Sequence, residues 1–284
     1  MTPDRHDEGA AEPHPVRAVN PSPHPGHPGS PGNPTSHPGN PSPHVEDAVP
    51  YRAPQREGVV GSGPAWTLGL SRRQEDGARL ASLLWEFGPG WRAVSSAMVG
   101  GGIGPLRWVL NAQVIGGYSR MDPVNHLLEM APRGPGVGML TAASVDRFTR
   151  AEDGGVEAVA TVGLRVPTWA AAPDGVPDPE LAPMYLPGTI NIIVAVPVAM
   201  SDAALVNAVM TVTEAKTQAL AEEGFPGTGT ASDAVCVAVR DAGPQELFGG
   251  PRSLWGARVA RAVHDAVRQG ARDWFDRDRL ATLG

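Results

Sequence analysis

The sequence predicts an α/β protein, with α+β the neighbouring class it also allows: a single domain with a mixed β-sheet, or two layered sheets, flanked by helices. Three observations carry this. Residues 188–240 read as a strand, a helix and a strand in succession, a unit that lays parallel strands side by side. The strand at 188–196 (GTINIIVAV) is apolar without alternation, as a strand covered on both faces should be. Composition also divides the chain. Residues 1–54 are crowded with Pro, Gly, Ser, Asn and His and have almost no Leu, Ile or aromatic residue to bury, so they are expected to be disordered. Residues 55–284 are long enough for one domain with a substantial core.

Along the chain, residues 79–87 fit a short helix and a strand equally well. Residues 93–99 (AVSSAMV) read as a strand running into the glycines of 100–104 (GGGIG). That run lacks the spacing of the dinucleotide fingerprint and the Lys-Ser/Thr of a P-loop. It marks backbone that bends sharply or is approached closely, with Gly101 and Gly102 as candidate ligand contacts. A second strand, 108–115 (WVLNAQVI), carries Asn111, a buried amide that needs partners. Asp122 before Pro123 marks a turn and a helix start. His126 then falls in the first turn of that helix, where packing and proton carriage near Tyr118 and Asp122 are both open.

Residues 137–143 (VGMLTAA) and 156–164 (VEAVATVGL) read as two strands of one hairpin, turned through EDGG at 152–155, with Thr141 at the polar end of the first. Residues 167–187 are Pro/Ala-rich without periodicity, a long loop of the kind that covers a site or dangles. Thr189 and Asn191 point the same way from the strand that follows. The last helix, 254–275, turns Val259, Val263 and Val267 inward, with His264 beside them as a structural residue.

The helix expected at 201–224 holds the least ordinary residue. Ser201 and Asp202 signal its start and Gly224 its end. Leu205, Val209, Val212 and Leu220 form its inward stripe, and Lys216, the only lysine of the protein, lies on that stripe. Arginine cannot replace lysine where a compact, movable charge or a shiftable pKa is needed. A lysine there also fits a purely structural role, snorkelling to the rim or pairing with one carboxylate. Glu214 lies roughly 200° from Lys216 around a regular helix, so an unbroken helix cannot aim both at one atom.

The formal charge is −7, and no basic face appears, so nucleic acid is not an expected partner. No apolar run approaches the roughly 18 residues of a membrane span. The N-terminus lacks an apolar h-region, so no secretory signal is expected, and the single cysteine permits no internal disulfide, so a cytoplasmic protein is expected. Cys236 sits in an apparent buried strand, 234–239, and reads as a core residue rather than a nucleophile. Six of the eight histidines (His6, His14, His24, His27, His37, His44) lie in the tail, which reads as a linker rather than a metal-gathering tract. No metal site is expected in the domain. Oligomeric state is not legible.

From about residue 94 to 239 the chain resembles the adenosylcobinamide amidohydrolases, enzymes of corrinoid salvage. The resemblance is carried in order by SAMVGGG (96–102), Asn111 with Gly117 and Tyr118, Asp122, Pro123 and His126, VGMLTAA (137–143), ATVG (160–163), GTINII (188–193), TEAKT (213–217) and TGTASDA (228–234). Ser232 stands where threonine is expected and keeps the hydroxyl. The resemblance implies hydrolysis of the amide joining the aminopropanol arm to the corrin ring of adenosylcobinamide. The products would be adenosylcobyric acid and the amino alcohol. It implies a corrinoid partner that carries its own cobalt, and no separate cofactor. A carrier or sensor that binds without cutting, or an amidase for another amide, are the alternatives.

Amide hydrolysis needs an activated nucleophile, a stabilised oxyanion and a proton for the amine. No Ser-His-Asp, Gly-x-Ser-x-Gly, His-Glu-x-x-His or Cys/His zinc spacing is present. The expected roles are therefore Asp233 or Glu214 as base toward water or a Thr228 or Thr230 hydroxyl, Lys216 and Asn191 at the oxyanion, and His126 as proton donor. Gly101, Gly102, Asn111, Tyr118, Asp122, Thr141, Thr189, Thr228 and Thr230 are the expected substrate contacts.

Overall fold

The computed structural model describes residues 55–63, 66–174 and 188–282. The tail expected at 1–54, with its six histidines, and most of the 167–187 loop lie outside the described residues. In chain order the elements are β1 (Gln55–Gly63), β2 (Trp66–Glu75), β3 (Ala78–Phe87), β4 (Trp91–Ser95), β5 (Gly102–Pro105), β6 (Trp108–Gln113), α1 (Pro123–Met130), β7 (Gly136–Thr141), β8 (Thr149–Asp153), β9 (Val156–Val162), β10 (Ile190–Met200), α2 (Asp202–Glu222), β11 (Ala234–Arg240), β12 (Gln245–Glu246) and α3 (Leu254–Thr282).

Two mixed sheets form, as the second of the two expected arrangements. The first runs β1-β2-β3-β6-β7, and the second β5-β4-β11-β10-β9-β8 with β12 against β10. β10, α2 and β11 make the expected strand–helix–strand unit, its strands parallel from Asn191 opposite Ala234 onward. Residues 79–87, open between helix and strand, belong to β3. The expected hairpin is corrected: β7 pairs in parallel with β6 in the first sheet, whereas β9 pairs with β8 in the second. The turn at 152–155 stands, but the strand before it is β8, whose charged TRAED sequence shows no apolar run.

Side-chain alternation explains the layering. From the first sheet Leu83, Trp85, Val109 and Met139 meet Ala93, Ile193, Ala195 and Cys236 of the second. The intervening residues Val94, Ile192, Val194 and Val237 point the other way, onto Leu205 and Val212 of α2 and Val259 and Val263 of α3. On the far face of the first sheet, Trp108, Leu110 and Ala112 pack on Leu127 of α1 and Ala131. The layers are thus α1, first sheet, second sheet, then α2 with α3. β10 is covered on both faces, which is why its sequence does not alternate.

α2 starts where Ser201 accepts a capping hydrogen bond from the Ala204 N–H at 3.2 Å, and it stops at Gly224, whose φ of +75° few other residues tolerate. Cys236 is fully buried, and desolvation pushes its thiol up to about 12. Among the described residues no helix is long and apolar enough to cross a membrane.

Candidate active site

A cleft of about 720 Å³ opens where β4, β6, β7 and β9 end and β10 and β11 begin. The antiparallel pairings of β4 with β11 and β9 with β10 put those ends together. Met98, Val114 and Met139 supply apolar lining, and Ser96, Tyr118, Thr141, Thr189, Asn191 and Asp233 bring polar groups.

Behind this lining Lys216 meets Asp233, Nζ to Oδ2, at 2.5 Å, with side chains 10% and 12% exposed. The same Oδ2 accepts from the Thr230 N–H at 3.2 Å, while Oδ1 accepts from the Ile190 N–H at 2.9 Å and the Thr230 hydroxyl at 2.5 Å. The carboxylate therefore holds four donors, about its full capacity. Gly229 is required beside it: a Cβ there would stand 2.4 Å from Asp233 Oδ2 and 2.5 Å from Lys216 Nζ. The pair fastens loop 226–233 to the C-terminal half of α2.

Asn191 and Asn111 form a second buried unit. Asn191 Nδ2 donates to Asn111 Oδ1 at 2.9 Å and to the Leu140 carbonyl at 3.0 Å, and Asn111 Nδ2 donates to Thr161 Oγ1 at 2.9 Å. A carbonyl oxygen can only accept, so Leu140 fixes which end of the Asn191 amide is nitrogen. Its Oδ1 is left buried without a partner among the described residues, in a residue 1% exposed. The expected oxyanion role is corrected accordingly: both Asn191 protons are engaged, and what the residue offers is an acceptor.

Ser96 and Thr141 offer the opposite. Ser96 Oγ accepts from the Val235 N–H and Thr141 Oγ1 from the Ala143 N–H, each at 3.0 Å. Neither hydroxyl proton has an acceptor among the described residues, so both are donors in the cleft lining. His126, 3% exposed, sits behind Tyr118: Nδ1 is 2.9 Å from the Tyr118 hydroxyl and Nε2 is 2.9 Å from Glu75 Oε1.

Several expected residues lie elsewhere. Glu214 is exposed on the other face of α2, an unbroken helix, so it and Lys216 do not point at one atom. Gly101 and Gly102 are exposed outside the lining. The close approaches in that run are at Gly100, where a Cβ would lie 2.0 Å from the Gly136 carbonyl, and at Gly101, where it would lie 2.6 Å from the Ala97 carbonyl, so the glycines turn the chain between β4 and β5. Asp122 is exposed and bound by Arg120 at 3.0 and 2.9 Å, which holds its carboxyl below the usual range. Thr228 accepts from the Ala170 N–H at 2.9 Å and donates to the Thr168 carbonyl at 3.2 Å, pinning residues 168–170 to the loop. Lys216 itself stands behind Asp233 rather than in the lining. No three His, Cys, Asp or Glu side chains among the described residues are grouped to hold a metal.

Residues 67–279 match the family model described as adenosylcobinamide amidohydrolase. The chain belongs to this family. The adenosylcobinamide amidohydrolase of Halobacterium salinarum is 39% identical over 142 residues, 49% of this chain and 59% of that protein, so less than two thirds of its length is spanned. That of Methanosarcina mazei is 30% identical over 193 residues, 63% of this chain and 90% of that one. A solved structure, the PH0078 protein of Pyrococcus horikoshii OT3, superposes with a TM-score of 0.41 at 12% identity over 72% of this chain and 84% of that chain, too distant to argue from. The family is one of amide-bond hydrolases. In this adenosylcobinamide amidohydrolase family member Ser232, at the position where threonine was expected, uses its hydroxyl: Oγ lies 2.7 Å from Thr189 Oγ1 and donates to the Gly188 carbonyl at 3.3 Å. Glu75 and Ser96 were the functional candidates that sequence reasoning passed over. Ser96 stood within the family block; Glu75 had no local signal.

Proposed function

We propose that this chain hydrolyses the amide joining the aminopropanol arm to the corrin ring of adenosylcobinamide. It would release adenosylcobyric acid and the amino alcohol and so return corrinoid to cobalamin synthesis. The observation that carries this reading is Asn191, a residue of the cleft lining whose buried Oδ1 has no hydrogen-bond partner among the described residues. A buried acceptor without a donor costs about 1–3 kcal/mol. An amide N–H entering the cleft supplies that donor and fixes the plane of the scissile bond. The Ser96 and Thr141 hydroxyls then donate to the carbonyl oxygen, where negative charge develops as water adds. Lys216 acts from behind by holding Asp233 and the loop that carries Ala231, Ser232 and Asp233 into the lining. A cleft of about 720 Å³ has the size of small-molecule sites.

The reaction is written without a resident metal; the cobalt belongs to the substrate. A chelator should leave turnover unchanged, and loss of turnover would overturn that part. Incubation with adenosylcobinamide, followed by mass detection of adenosylcobyric acid and aminopropanol, tests the whole. Equal amounts of both products are expected. Binding without product would make the chain a carrier or sensor, and neither binding nor product would make it an amidase for another substrate.

A further inference from the structure

Behind the cleft, three residues from distant parts of the chain stand in line. Glu75 closes β2, His126 lies in α1, and Tyr118 lies in the segment between β6 and α1 and lines the cleft. The His126 and Tyr118 rings stack with centroids 5.6 Å apart and planes 17° from parallel. The Arg73 guanidinium donates to Glu75 Oε2 at 2.5 Å and is itself fixed by donating to the Gln113 carbonyl at 2.6 Å and the Ser82 hydroxyl at 2.9 Å. Glu75 Oε1 therefore faces His126 Nε2 as an acceptor. With Nε2–H directed there, neutral His126 leaves Nδ1 bare, and the Tyr118 hydroxyl donates to it.

We infer that Tyr118 is the group that passes protons between the cleft and the Glu75–His126 pair, a role that rests on the amide hydrolysis proposed above. While the Tyr118 proton points at His126, the phenol oxygen is an acceptor for a water in the cleft. As that water adds to the amide carbon, its proton goes to Tyr118 while the Tyr118 proton goes to His126 Nδ1. The resulting imidazolium is stabilised by Glu75. When the tetrahedral intermediate collapses, the C–N bond breaks and its electron pair goes to nitrogen. The Tyr118 proton follows to that nitrogen, and His126 returns its proton to Tyr118. Water and amide become acid and amine, with every proton accounted for. Burial raises the Tyr118 phenol above its ordinary value, against the opposing pull of Arg120. The nearby charges are Arg73, Asp76, Arg120 and Asp122, of which Arg120 and Asp122 pair with each other. His126, the proton donor expected from sequence, touches no substrate in this scheme; it is a positioning residue acting through Tyr118.

The test is steady-state hydrolysis of adenosylcobinamide by the full chain and its variants, each checked for unfolding midpoint and corrinoid binding. Tyr118→Phe should lose about 10²- to 10⁴-fold in kcat, the usual worth of positioned acid–base catalysis, with KM within about threefold. Glu75→Gln should lose about tenfold in kcat, and the double variant should be no worse than Tyr118→Phe alone, as for groups acting as one unit. Wild-type kcat in Tyr118→Phe, or multiplied losses in the double variant, would overturn the relay. Should Tyr118→Phe fail to fold, Glu75→Gln decides: unchanged kcat overturns the relay. If the unmodified protein does not cleave adenosylcobinamide at all, the proposed reaction falls and takes the relay with it, an outcome distinct from the others.

Discussion

Two clusters border the cleft and treat their polar groups in opposite ways. Around Asp233, four donors converge on one carboxylate and the lysine is enclosed with it. Around Asn191, Thr141, Ser96 and Tyr118, each side chain is held from behind by one or two bonds and keeps one capacity open. Asn191 keeps an acceptor, Ser96 and Thr141 keep donors, and Tyr118 changes between the two. A saturated cluster holds shape, because any reaction of its members breaks bonds already made. An open cluster can bind, because a ligand completes it. The residue that stands out most in the sequence, Lys216, belongs to the saturated kind.

The largest effect that can break this distinction is on stability. Lys216→Met leaves Asp233 as a nearly buried charge without its cation and should cost about 3–5 kcal/mol of unfolding free energy, measured by urea denaturation. Lys216→Met combined with Asp233→Asn should recover part of that loss. A Lys216→Met protein of wild-type stability would remove the clamp. Next, Gly229→Ala forces a methyl against Lys216 and Asp233 and should cost about 1–3 kcal/mol, whereas Gly104→Ala, with nothing within 4 Å, should change stability far less. Equal losses at the two glycines would mean that the close approach at Gly229 has no consequence.

A smaller effect separates pH-dependent stability from the cleft. Glu157, on β9 opposite Ala195 and away from the lining, has its carboxyl raised by burial from 4.5 to about 7, with Arg150 opposing. Between those values the folded chain binds a proton that the unfolded chain has released. Stability therefore falls as pH rises from about 4.5 to about 7, and Glu157→Gln should flatten that slope. An unchanged slope in Glu157→Gln would place the titration elsewhere.

What could be read in advance follows from how local each signal is. The inward position of Lys216 was legible because helical spacing from Leu205 to Leu220 reports one face directly. The β10–α2–β11 unit was legible for the same reason. The β7–β9 hairpin was misread because β8 exposes alternate charged residues and gives no apolar run, so the nearest earlier apolar strand took its place. Glu75 was invisible: it ends an Arg-rich strand, and its meaning appears only when α1 brings His126 to it from 51 positions away. Asn191 lies in the cleft lining, but whether it offers oxygen or nitrogen depends on the Leu140 carbonyl in another sheet. Burial can be read from periodicity, whereas the direction of a hydrogen bond needs its partner.

A matched pair of hydroxyl deletions compares the two clusters most directly. Thr141→Val and Thr230→Val make the same chemical change, one at an open donor and one at a bond to Asp233. With adenosylcobinamide as substrate, Thr141→Val should lose about 10²- to 10³-fold in kcat, as for a removed oxyanion donor, and about 1 kcal/mol of stability. Thr230→Val should lose about 1.5–3 kcal/mol of stability and keep kcat within about threefold in the folded protein. The reverse pattern, with turnover lost at Thr230 and retained at Thr141, would place the chemistry at the lysine–aspartate cluster instead.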